Sequence, residues 1–131
     1  MQQHEKQSVP ILLADDNEPN RTLIGRMLKK LRYTNVTTAG DGNEVLLKFK
    51  DNTYAVALLD IEMPGHTGFE IAKKIKVEAD YAHLSDLKII ALTGHEGDSI
   101  CGDLDSSGIK HCLSKPIRMA GLGELLESVI G

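Results

Sequence analysis

The run Val56-Ala57-Leu58-Leu59 leads without a break into Asp60, and Pro64-Gly65 follows in the next few residues. No other stretch restricts the fold as strongly. Consecutive apolar residues with no polar alternate need cover on both faces, as in a central strand of a parallel sheet. Proline and glycine then stop regular structure. The stretch from Tyr54 to Leu59 is therefore predicted as a buried strand that delivers Asp60 into a loop at its carboxyl end. In open α/β sheets that edge is where ligands and chemistry collect.

Four further stretches read as short strands. Val9 to Ala14 ends at Asp15-Asp16, with Pro10 tolerated at a strand start. Val36 to Ala39 is short and β-rich, Leu87 to Leu92 ends at Thr93-Gly94, and Lys110 to Ser114 runs into Lys115-Pro116. Helical spacing lies between them. Leu23, Ile24, Met27, Leu28 and Leu31 make one face, opened by a cap at Asp16 or Asn17 and by Pro19. Val45, Leu46 and Phe49 make a second face, and Phe69, Ala72 and Ile75 a third, within a helix expected over Phe69 to Ala79. Asp80 to Asp86 reads as a polar connection. The segment from His95 to Ser107 is the weakest helix, because Gly97 and Gly102 interrupt it. A last helix over Met119 to Val129 turns Leu122, Leu125, Leu126 and Val129 inward. Five strands, each followed by a helix, imply an α/β fold. Its parallel sheet is covered on both faces and joined by right-handed crossovers.

A chain of 131 residues is the size of one ordinary domain and can build a core without metal or disulfide support. The domain is expected over residues 9–131, with residues 1–8 a polar tail or linker remnant. A formal charge of -4 argues against direct nucleic-acid binding, which wants a basic field. No apolar run approaches the roughly 18 residues of a membrane span, so no membrane insertion is expected. The N-terminus has no apolar signal core, and a cytoplasmic location follows as the expectation. Cys101 and Cys112 lack CxxC spacing and read as two free thiols of a reducing compartment. His4, His83 and His111 form no metal-ligand pattern, and His66 reads as a solvated loop residue.

In a parallel sheet all strand ends lie along one edge. Asp15 and Asp16, Asp60, Thr93 and Lys115 should then meet in one crevice. Carboxylates placed together repel when ionised. A hard divalent cation relieves that cost, and Mg2+ takes oxygen ligands from one or two carboxylates plus phosphate oxygens; Mn2+ could substitute. An aspartate can attack phosphorus to give an acyl phosphate. Phosphoryl transfer asks for alignment and charge neutralisation more than for a base. The residues therefore point to an aspartate that accepts a phosphoryl group with Mg2+ held by Asp16 and Asp60, and with Thr93 and Lys115 on the phosphoryl oxygens.

The same residues carry a family resemblance. Asp15-Asp16, Asp60, the stretch Met63-Pro64-Gly65-His66-Thr67-Gly68-Phe69-Glu70, Thr93 and Lys115-Pro116 stand in order at successive strand ends. Over roughly residues 9–130 the chain resembles the receiver domains of two-component response regulators. Its DDNEPNR opening and LSKPI ending are most similar to receivers of hybrid histidine kinases. The resemblance implies a flavodoxin-like (βα)5 fold with strand order 2-1-3-4-5. It implies Asp60 as phosphoacceptor, Asp16 as main metal carboxylate with Asp15 assisting, and the Glu62 backbone carbonyl on the metal. It further implies a Thr93 that moves toward the phosphoryl group, a Lys115 that pairs with it, and a cis peptide before Pro116. The implied partner is a histidine kinase or histidine phosphotransfer domain, or another domain of the same polypeptide. The resemblance leaves open a homodimer through the fourth helix, fifth strand and last helix.

One position departs from the family. Three residues before Lys115, where an aromatic is usual, stands Cys112. An aromatic swing cannot carry the signal, which falls instead to a switch region of Thr93, His95 and Cys112. Glu62 and His95 flank the crevice and are expected to set the lifetime of the phosphoryl group. Three other functions compete. An aspartate-nucleophile phosphatase would want its nucleophile on the first strand, and a substrate cap. A flavin or nucleotide module would want Gly, Ser or Thr after the first strand, where Asp15-Asp16-Asn17-Glu18 repels phosphate. A receiver-like docking module that no longer switches would not need the acid set.

Overall fold

The structure is a computed structural model and describes residues 8–61, 63, 65, 68–84, 86–93, 109 and 111–130. Strands β1 (Ile11–Ala14), β2 (Val36–Ala39), β3 (Val56–Asp60), β4 (Lys88–Thr93) and β5 (His111–Ser114) form one sheet in the order β2-β1-β3-β4-β5. Every pairing is parallel. The expected strand order and direction both hold. The predicted helix over 95–107 lies outside the described residues, as do Cys101, His66, Glu62 and His95.

Residues along β1 and β3 alternate between two separate cores, and this explains their lack of polar alternates. Leu12, Ala14, Ala57 and Leu59 face one side, under helices α2 (Gly42–Asp51) and α3 (Gly68–Val77). Ile11, Leu13, Val56 and Leu58 face the other, under α1 (Glu18–Lys30) and α4 (Met119–Ile130). Full burial of each such side chain stabilises by about 1.5–3 kcal/mol.

Local signals set the helix bounds. Asn17, not Asp16, caps α1: its carboxamide oxygen accepts from the Asn20 amide at 2.9 Å. Asp41 caps α2 and accepts from the Glu44 amide. At its other end α1 closes with Tyr33 N–H donating to Leu28 O and Arg32 N–H to Lys29 O. That pattern puts Arg32 at φ 78°, a place glycine usually takes, and folds Tyr33 back onto Leu28 in the core.

Two expectations need correction. Residues 80–86 are not merely a polar connection, because Ala79–Leu84 forms a 3-10 turn that buries Tyr81 and Leu84 against α2 and α3. Leu23, placed on the inner face of α1 by spacing, is 49% exposed. The sheet-facing stripe of α1 is narrower than its apolar pattern, with Ile24 and Leu28 as the buried residues.

Candidate functional site

Tyrosines aside, only three polar or charged side chains are buried among the described residues: Asp15, Asp60 and Thr93. All three stand at the carboxyl edge of the sheet. Asp15 immediately follows β1, Asp60 ends β3 and Thr93 ends β4. Strand pairing sets Asp60 beside Leu92, and the Ile61 amide donates to Leu92 O at 3.0 Å. The Lys115 amide donates to Thr93 O at 2.7 Å, which brings the end of β5 to the end of β4.

The carboxylates converge as the strand pattern required. Asp15, Asp16 and Asp60 each offer an oxygen within 4.8 Å of the others, with Asp16 exposed at the mouth. Lys115 Nζ donates to Asp60 Oδ2 at 2.8 Å and lies 3.3 Å from Asp15 Oδ2. Burial disfavours this ammonium, but the hydrogen bond and charge of Asp60, joined by the charge of Asp15, outweigh it. The Lys115 pKa is held above the ordinary lysine value. Lys115 therefore faces two of the three carboxylates, Asp15 and Asp60.

Two backbone features aim Asp60. Gly68 opens α3 against the end of β3, with its amide donating to Ile61 O at 3.0 Å. A Cβ at Gly68 would stand 3.2 Å from both the Asp60 carbonyl oxygen and Ile61 Cα. Gly65 takes φ +88°, a left-handed turn that suits glycine, and packs on the Asn43 side chain. Gly65 thus lies back against α2. The Lys115–Pro116 peptide is cis, as expected.

The turn after β1 is tied to itself. Asp15 Oδ1 accepts from the Asn17 amide at 2.9 Å, and the Arg21 guanidinium donates to the Asp15 carbonyl at 2.6 Å. Nothing in the sequence reading singled out Arg21. One signal was present: a cation in the first turns of a helix opposes the helix dipole and asks for a local reason.

These strand-end residues match a known pattern over nearly the whole chain. Residues 11–127 fit the family model of the response regulator receiver domain. The chain belongs to the response regulator receiver family. Relatives and solved structures agree with the assignment. The receiver is 38% identical over 109 residues to stress response regulator protein 1 of Debaryomyces hansenii. It is 34% identical over 124 residues to the osmosensing histidine protein kinase SLN1 of Saccharomyces cerevisiae. Those alignments cover 82% and 91% of the chain, but only 43% and 10% of the relatives, which are longer. Among solved structures, chemotaxis response regulator CheY4 of Vibrio cholerae superposes with TM-score 0.81 at 27% identity, over 93% of this chain and 98% of that one. The receiver domain of a sensor histidine kinase of Pseudomonas aeruginosa, described with a magnesium ion in its active site cleft, gives 0.78 at 30% identity, over 94% and 98%.

The receiver carries its family's acid and lysine cluster, suited to self-catalysed phosphoryl acceptance. Asp15 Oδ2 tests whether Mg2+ fits. It is fully buried, near the ammonium but without a hydrogen bond. A buried carboxylate oxygen left so is costly. Together with two further carboxylates it offers the hard oxygen donors that Mg2+ prefers. The residues present fit the ion.

Cys112 corrects a different expectation. It sits on β5 opposite Ala91, packed against a small core of Ile61, Ala72, Ala91 and Ile109. It is disulfide-bonded and not a free thiol, while Cys101, the chain's other cysteine, lies outside the described residues. No helix among the described residues is long and apolar enough to cross a membrane.

Proposed function

We propose that Asp60 accepts a phosphoryl group from a phosphohistidine of a histidine kinase or histidine phosphotransfer domain, and that residues 9–131 are the receiver unit. The supporting observation is that, tyrosines aside, the buried polar side chains among the described residues lie at one edge of the sheet. Asp15, Asp60 and Thr93 are buried together, and Lys115 bonds Asp60. In the transfer, an Asp60 carboxylate oxygen bonds to phosphorus. The phosphorus–nitrogen bond breaks, and the imidazole nitrogen leaves with its electron pair. Lys115, already an ammonium beside Asp60, neutralises charge on the phosphoryl oxygens, and Thr93 donates a hydrogen bond to one of them. Asp15, Asp16 and Asp60, with the Glu62 carbonyl that the family resemblance implies, would hold Mg2+, which would neutralise phosphoryl charge. Water later cleaves the acyl phosphate, with Glu62 and His95 setting its lifetime.

Several relatives are named as histidine kinases that are far longer than this chain. Their names support a receiver that works within, or opposite, such a kinase, and we place it in the cytoplasm. Thr93, His95 and Cys112 form the region that reports the phosphorylated state.

Incubation with Mg2+ and acetyl phosphate, followed by intact-mass measurement, tests the assignment. One added phosphoryl group is expected, and none in Asp60→Asn. Labelling that survives this substitution overturns Asp60 as acceptor.

A further inference from the structure

The β1 ladder ends at Ala14, whose register partners are Ala39 and Leu59. One residue on, the Asp15 amide still reaches Ala39 O at 3.2 Å. The Asp15 carbonyl lies one residue beyond the paired part of β1, on a residue that is fully buried. A buried carbonyl needs a donor, and Arg21 provides it at 2.6 Å. This carbonyl belongs to the peptide that joins Asp15 to Asp16. Holding it fixes the torsion on the carboxyl side of Asp15 and on the amino side of Asp16, and so the directions of both side chains.

The bond closes a ring. Asp15 Oδ1 takes the Asn17 amide, the Arg21 amide donates to Asn17 O at 2.9 Å, and the Arg21 guanidinium returns to the Asp15 carbonyl. The guanidinium itself is braced. It passes over Gly40, 3.4 Å from where a Cβ would stand, and Glu44 Oε1 lies 3.7 Å from the same point while accepting the Gly40 amide at 2.7 Å. The acid of α2 and the base of α1 thus bracket the end of β2.

We infer that Arg21 is a positioning residue that sets the Asp15–Asp16 pair for a divalent cation through the peptide between them. The inference rests on the Mg2+-holding role proposed for that pair. It has a sign that separates it from plain electrostatics. Removing a nearby positive charge should tighten cation binding if charge alone matters. Releasing the peptide should weaken it, because partners that orient metal ligands are worth about 10–100-fold in affinity.

The test is Mg2+ affinity by titration calorimetry, at a temperature where circular dichroism shows each protein folded. Arg21→Gln should bind Mg2+ about tenfold more weakly, Arg21→Lys should recover part of the loss, and Arg26→Gln, on the exposed side of α1, should not weaken binding. Arg21→Met keeps the apolar stem and decides the matter if the Gln variant does not fold. A purely structural role would lower the melting temperature and leave the affinity of the folded chain unchanged. Unchanged or tighter binding in the Arg21→Gln or Arg21→Met protein overturns the inference while wild-type binding leaves the phosphoacceptor reading standing. Failure of the wild type itself to bind Mg2+ overturns both.

Discussion

The two halves of the site are built in opposite ways. The acidic half, after β1, is made by neighbours in sequence: Asp15 to Asn17, Asn17 to Asn20, Arg21 back to Asp15. The cationic half is made by residues far apart. Lys115 meets Asp60 across 55 positions, and reaches it only because β5 lies beside β4, and β4 beside β3. Local hydrogen bonds can hold a turn while the rest of the chain rearranges. A contact made through strand order exists only when the whole sheet exists. The first half is suited to stay fixed, and the second to respond when charge arrives at Asp60.

Substitutions can break this contrast. The largest effect is expected at the junction of the halves, where Asp60→Asn removes phosphoryl acceptance altogether. Lys115→Met should follow. It leaves the buried Asp60 and Asp15 without their cation and costs about 2–3 kcal/mol in urea unfolding without metal, the partial exposure of Lys115 tempering the loss. Added Mg2+ should return part of it. Because the folded-state pKa of Lys115 is raised, its contribution is fully present below 10.5, the ordinary lysine value, and is lost as pH climbs through the folded value above it. The gap between wild type and Lys115→Met should therefore be level at neutral pH and close only under strong alkali. A gap that closes near neutrality would assign the stabilisation elsewhere.

Gly68→Ala comes next. Its methyl would press on the Asp60 carbonyl and Ile61 Cα, so β3 or α3 must shift. A cost of about 1–2 kcal/mol is expected, with slower labelling by acetyl phosphate. Labelling at the wild-type rate would show that Asp60 tolerates the displacement. The smallest effect belongs to the local half. Asn17→Ala removes the cap of α1 and should cost about 1 kcal/mol without abolishing phosphoryl acceptance. A larger loss of labelling than of stability would mean that the turn acts on the site beyond holding it.

The same contrast decides what a reader of the sequence alone could know. Strand ends were legible because Val56 to Leu59 reads as doubly covered and because Asp15, Asp60 and Thr93 follow such runs, while Lys115 was placed by the strand-then-helix order around Lys110 to Ser114. The strand order came with the family resemblance. Tyr81 and Leu84 were hidden, since a single 3-10 turn shows no period to count. Leu23 was misplaced because spacing gives the direction of an apolar face but not its width. Arg21 escaped because its task is toward a backbone carbonyl, and backbone groups leave no mark in a sequence. The bonding of Cys112 escaped because no short-range spacing announces it.

Placing Lys115 on the strand that completes the sheet also has a consequence for a chain still being made. Domains generally fold as units during synthesis. A nascent receiver shows Asp15, Asp16 and Asp60 about 55 residues of synthesis before its lysine. During that interval the sheet lacks its last strand, so the acids are not yet held beside their lysine. The site is therefore completed only when the last strand of the domain has been made.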